Sequence, residues 1–166
     1  MDTTNRYIGY CRAKTKDYKW IEGYHLIDHG ENCIFRIETS CLVPVIPKTI
    51  CRYTGLTTCY SNSPHEDVFE RDFIVFNRGR FRGINEQINS LAPWIVLWNA
   101  DKCCFIRRRI FNTIQGFRLE NELTRDTMCE CEVIGNGIDN PDVPETSAAK
   151  INKLIQEWRE RGCTTE

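Results

Sequence analysis

The chain has 166 residues and a formal net charge of −1, so no overall field draws it to DNA or to an anionic membrane. Hydrophobic residues make up 41% and charged residues 27%, which excludes a disordered chain and favours one globular domain with a terminal appendage. No apolar run approaches the roughly 20 residues that span a bilayer, and the opening MDTTNRYIGYCRAK has no basic-then-apolar secretion signal, so the expected location is the cytoplasm, with no membrane partner.

Taken in order, the first third reads as strands. Arg6 to Arg12 alternates, with Tyr7, Gly9 and Cys11 on one face. Lys14 to Asp17 is a polar turn, and Trp20 to Asp28 is a second strand, making a hairpin. His29-Gly30-Glu31-Asn32 turns the chain into Cys33 to Glu38. Leu42 to Lys48 carries Pro44 and Pro47, which suit an edge or a linker. Cys51 to Thr54 is short. A tight Thr54-Gly55 turn and a polar loop, Thr57 to Asp67, lead to the apolar strand Asp72 to Phe76.

The middle is also β-rich. Arg78-Gly79 is a turn candidate, and Arg80 to Ile84 begins a strand, although Ile84 and Ile88 also fit a helical turn. Pro93 breaks the pattern. Trp94 to Trp98 is a continuous apolar run, as expected of a strand buried on both faces. After a turn at Asn99 to Lys102, Cys103 to Phe111 pairs back on it as a hairpin, apolar at its ends and basic at its centre. Met128 to Ile134 alternates and stops at the turn Gly135-Asn136-Gly137.

After Asn140-Pro141 the pattern becomes helical. Asp142 and Glu145 are spaced as a capping box. Ile151, Leu154, Ile155 and Trp158 fall at i, i+3, i+4 and i+7, one apolar stripe, and Gly162 is the natural stop. A helix of about 18 residues is marginal alone, so the stripe must be buried on the β-domain or on a second copy of the chain. Short strands, frequent turns and one terminal helix give the expected fold: mainly β, an SH3-like barrel over 1–141, with an amphipathic helix over 142–166.

Four segments carry a family resemblance. They are Trp20-Ile21-Glu22-Gly23-Tyr24, Tyr53-Thr54-Gly55-Leu56, Val68-Phe69-Glu70-Arg71-Asp72-Phe73-Ile74-Val75, and Glu132-Val133-Ile134-Gly135-Asn136 followed by Asp139-Asn140-Pro141. In this order they resemble the YopX family of bacteriophage and prophage proteins, whose patterns read W-V-x-G-Y, Y-T-G-L, E-G-D-I-V and E-V-I-G-N-I-x-[ED]-N-P. The resemblance implies an SH3-like barrel and a phage origin, and it names no reaction. Arg71 stands where the family has Gly, so a positive φ is not expected there. Gly137 stands where the family is usually apolar, and the lysine-rich D-K-x-G-K of the family's loop is missing.

Three constellations bear on function. Tyr53, Thr54, Gly55 and Leu56 with Glu70 and Asp72 frame a candidate groove; equally, Gly55 supplies a turn and the carboxylates bond backbone amides at a strand start. Arg107, Arg108 and Arg109, with Arg118 nearby, form the densest basic patch. As a strand it places Arg107 and Arg109 on one face and Arg108 on the other. Such a surface grips phosphates, or else its arginines pair with nearby acids and guard an edge. The stripe Ile151, Leu154, Ile155, Trp158 serves packing or oligomerisation.

Ten cysteines would mean disulfides in a secreted chain; in the cytoplasm they read as thiols, Cys33, Cys41, Cys51, Cys129 and Cys131 as small buried residues. Neither Cys103-Cys104 nor Cys129-Glu130-Cys131 has zinc spacing, His25, His29 and His65 make no ligand set with them, and no phosphate loop or nucleophile elbow is present. The expectation is a non-enzymatic phage accessory protein that needs no cofactor and binds a protein partner, with nucleic acid as the alternative.

Overall fold

The computed structural model describes residues 9–59, 65–76, 84–111 and 120–161. They belong to two units, Met1–Gly55 and Leu56–Glu166. The expected boundary at 141 lies inside the second. Antiparallel strands dominate, and the chain ends in an α-helix. Neither sheet closes into a barrel among the described residues.

In the first unit, β1 (Gly9–Lys14) and β2 (Trp20–Asp28) form the expected hairpin, with Tyr10 opposite Tyr24 and Cys11 opposite Gly23. Residues 6–8 of the expected first strand lie outside the described residues. Gly23 is needed because β3 (Glu31–Arg36) runs so close that a Cβ would stand 2.3 Å from the Phe35 carbonyl oxygen, at φ +155. The β2–β3 turn is His29-Gly30 alone, both residues at positive φ, the geometry that matches strand twist in a two-residue hairpin. The third strand thus spans Glu31–Arg36 instead of starting at Cys33. Next comes β4 (Cys41–Pro44), an edge strand as its prolines suggest. A 3-10 turn at Pro47–Thr49 follows; its buried Thr49 hydroxyl accepts the Lys14 N–H at 2.8 Å and donates to the Ile46 carbonyl at 2.7 Å. One bridge, Thr15 to Val45, ties the end of β4 to the end of β1. Cys11, Ala13, Ile34 and Val45 form this unit's core.

The Thr54-Gly55 turn does not form. Both residues lie inside β5 (Cys51–Thr57), which pairs with β1 through Cys51 and Arg52 and beyond Gly55 with β6 (Asp67–Phe69). The chain absorbs Gly55 at φ +79 as a kink in an extended strand. Ser61 to Pro64, the centre of the expected loop, lies outside the described residues.

The second unit is built on a sheet of order β10-β9-β8-β7-β11. Its strands are β7 (Asp72–Phe76), β8 (Trp94–Asn99), β9 (Cys104–Arg109), β10 (Glu120–Glu122) and β11 (Cys131–Asn136). β7 has the expected bounds. β8 is not buried on both faces: Trp94 and Val96 are buried, while Ile95 and Leu97 are half-buried, because only one face packs on the core. That core joins Val68, Ile74, Trp94, Val96, Leu123, Met128 and Cys131. Burying a side chain such as Ile74 or Val96 stabilises by about 1.5–3 kcal/mol.

Arg71 departs from expectation. It sits at φ +69 in the two-residue turn between β6 and β7. Its N–H donates to the Val96 carbonyl at 2.7 Å, its carbonyl accepts the Gly137 N–H at 2.9 Å, and Asp72 Oδ2 accepts the Phe69 N–H at 2.8 Å. These bonds hold a left-handed conformation that the side chain alone disfavours.

Three further readings are corrected. Ile84 opens a helix, α1 (Ile84–Leu91), the alternative that the Ile84/Ile88 spacing offered, and does not end a strand; residues 77–83, including the Arg78-Gly79 turn, are outside the described residues. Met128 ends a short helix, α2 (Arg125–Met128), capped by the Thr124 hydroxyl, so β11 starts only at Cys131. β11 then runs through Gly135 and Asn136. Gly135 sits at φ +147 at a shift in the register with β7, where a Cβ would lie 2.6 Å from Asn140 Oδ1. The turn falls just beyond, with Asn136 Oδ1 accepting the Ile138 and Asp139 N–H groups.

The terminal helix, α3 (Val143–Glu160), is present, but the capping box is not: Asp142 is αR and its side chain bonds no amide. Ile151, Leu154, Ile155 and Trp158 are each half-buried, and α3 packs against α1 within the second unit. Gly162 lies outside the described residues.

Candidate anion-binding cleft

The hairpin of β8 and β9 decides where the three arginines go. Arg109 stands opposite Trp94, Arg108 opposite Ile95 and Arg107 opposite Val96. Arg107 and Arg109 therefore share the face of the buried Trp94 and Val96, while Arg108 takes the other. The alternation expected from the sequence places two of the three guanidinium groups on the side of the core rather than on an open basic surface.

Both are accommodated by aromatic rings. The Arg107 guanidinium carbon lies 4.5 Å from the Phe76 ring centre and 5.0 Å from that of Trp94; Arg109 lies 5.8 Å from Trp94. Phe76 and Trp94 meet edge to face at 6.0 Å. Ring faces carry negative charge density, so they offset part of the cost of taking a cation out of water. Arg109 is 8% exposed, and its Nη2 donates to Asn89 Oδ1 at 2.6 Å. Its Nε is buried with no hydrogen-bond partner among the described residues. Burial lowers the Arg109 pKa from its ordinary value, yet a guanidinium stays charged at physiological pH.

These groups open into a cleft of about 230 Å³ lined by Phe76, Trp94, Arg107 and Arg109 from the sheet, Asn121 from β10, and Glu86, Asn89 and Ser90 from α1. Two arginines, two amides and a hydroxyl beside apolar ring faces, with the Glu86 carboxylate as the one opposing charge, leave a net positive lining that suits a small anionic group, a carboxylate or a phosphate. The volume is below that of a drug-sized pocket.

The other sequence candidates fall elsewhere. Arg108 Nε pairs with Glu120 Oε1 across β9 and β10 at 2.5 Å. Arg118 lies outside the described residues. Tyr53, Thr54, Gly55 and Leu56 are strand residues of β5. Asp72 is fully buried, with its carboxylate on the Phe69 amide, and Glu70 stands in the adjoining turn. His25 is buried with Nε2 2.8 Å from Asn32 Oδ1; His29 is exposed; His65 Nδ1 lies 2.9 Å from the Thr58 carbonyl oxygen. Among the described residues no three His, Cys, Asp or Glu side chains gather as a metal site, and no helix is long and apolar enough to cross a membrane.

Asn89, Ser90 and Glu86 were invisible as cleft residues in the sequence. Their only signal is the Ile84/Ile88 spacing, which marks a helical turn without saying what it covers. No protein-family model and no curated protein matches the sequence.

Proposed function

We propose that the chain is a phage- or prophage-encoded accessory protein that works by binding a protein partner in the host cytoplasm, and that the arginine cleft receives an anionic group of that partner. The observation that carries the binding reading is the placement of Arg107 and Arg109 over Phe76 and Trp94 at the cleft wall. Cations already seated on rings lose little further freedom when an anion arrives, which favours recognition.

The phage assignment rests on the YopX resemblance, and backbone geometry supports it. Gly23, Gly55 and Gly135, the glycines of three quoted motifs, all sit at positive φ, and so does Arg71, where the family pattern has glycine. The motifs therefore mark positions where the backbone itself asks for that residue type. The SH3-like barrel implied by the same resemblance draws support from the Thr15 to Val45 bridge, which joins the end of the outer strand β4 to the end of β1.

Nucleic acid is the weaker reading. Trp94 is 8% exposed and both guanidinium groups lie over it, so no base stacks there, and Arg108 is engaged with Glu120.

The test is capture from phage-infected host extract, with and without nuclease, using the native chain, Arg107→Ala and Arg108→Ala. A nuclease-resistant partner lost about 10-fold or more with Arg107→Ala, and kept with Arg108→Ala, is the expected result, since a charge-assisted bond contributes about 1.5–3 kcal/mol. A nuclease-sensitive partner would establish the nucleic-acid reading instead. Equal capture by all three chains would remove the cleft from the account.

A further inference from the structure

Cys59 and Cys129 are thiols, and they meet. Cys59 follows the end of β5, and Cys129 follows α2, 70 residues later. Their sulfurs are 2.7 Å apart, and the Cys59 N–H reaches the Met128 carbonyl at 3.4 Å, so the backbone itself brings the two segments together. Cys129 is exposed and Cys59 half-buried, which leaves the pair open to a reagent in solution. A disulfide has its sulfurs about 2.05 Å apart. The two sulfurs are thus already in contact, where one can attack a disulfide formed on the other.

We propose that Cys59 and Cys129 form a dithiol modification site, which small-molecule disulfides convert to an intramolecular disulfide. The Cys129 thiolate attacks one sulfur of glutathione disulfide and expels one glutathione thiolate. The Cys59 thiolate then attacks the Cys129 sulfur of that mixed disulfide and expels the second glutathione. Two protein thiols lose two protons and two electrons; glutathione disulfide takes the electrons and leaves as two thiols. The hydrogen bond with Cys59, with burial and the nearby Asp126 as smaller causes, raises the Cys129 pKa. The attacking thiolate is scarce at neutral pH, so cross-linking accelerates as pH rises toward the thiol's own range. The site is independent of the arginine cleft and of the family resemblance.

The reduced native chain is incubated with glutathione disulfide and examined by intact mass and peptide mapping. The expected product has lost the mass of two hydrogens, two titratable thiols have disappeared, and one peptide pair joins Cys59 to Cys129. Cys59→Ser stops at a stable glutathione adduct on Cys129, whereas Cys41→Ser and Cys103→Ser cross-link as the native chain does. A native chain that keeps glutathione on Cys129, or that joins other cysteines instead, would overturn the proposal.

Discussion

Arg71 and Gly23 show how differently a single backbone position is enforced. At Arg71 a left-handed conformation is imposed from outside, by Val96 and Gly137, on a residue that resists it. Arg71→Gly should therefore raise stability by up to about 1 kcal/mol, the relief of strain exceeding the added freedom of the unfolded chain. Urea unfolding would measure it, and a loss of stability would mean the Arg71 side chain contributes more than its backbone costs. At Gly23 the Phe35 carbonyl occupies the space of a Cβ. Gly23→Ala should cost about 1–3 kcal/mol or more, because backbone must shift in a packed hairpin. Neither effect was fully legible. Gly23 stood in a quoted motif without its reason showing, because the Phe35 carbonyl that crowds it belongs to the next strand; at Arg71 the partners that bend it come from β8 and from the segment after β11, remote in sequence.

At the scale of elements, strands were easier to read than helices. β2 and β7 have the bounds that alternation and apolarity give: the centre of β2 buries every second residue, and β7 opens on three buried residues in a row. α1 buries only Ile84, and α2 is a single turn, so neither leaves a stripe long enough to recognise. The cleft inherits that asymmetry. That Arg107 and Arg109 share a face followed from their spacing; the rings they lie on, Asn121 and the helix wall did not.

α3 was legible because four apolar residues repeat along it. Its stripe is half-buried, and α1 is the element it packs on. Leu154→Ala should lower stability by about 1–2 kcal/mol, as expected for a partly buried leucine. Because α1 belongs to the same chain, that loss should not depend on protein concentration. A midpoint that climbs as the protein is concentrated would assign the stripe to a second copy instead.

For the whole molecule, the two units have separate cores, one around Cys11, Ala13, Ile34 and Val45, the other around Ile74, Trp94 and Val96. Hydrogen exchange should therefore respond locally. Gly23→Ala should strip protection from β1, β2 and β3 while the amides of β7 and β8 keep theirs. Uniform loss across the chain would show that the two cores melt as one. This division was not legible from the residues, because Gly55 interrupts β5 without ending it and composition does not change there.

β4 is the outer strand of its sheet, and Leu42 upon it is 44% exposed. The Val45 N–H turns inward to the Asn32 carbonyl, so by alternation the nitrogen of Pro44 faces outward and has no hydrogen to offer. An incoming foreign strand finds one rung of its ladder missing, and the next outward N–H, that of Ile46, is already held by the Lys14 carbonyl. Pro44→Val restores that rung; on warming, such a variant should seed fibrils that bind thioflavin while the native chain stays clear.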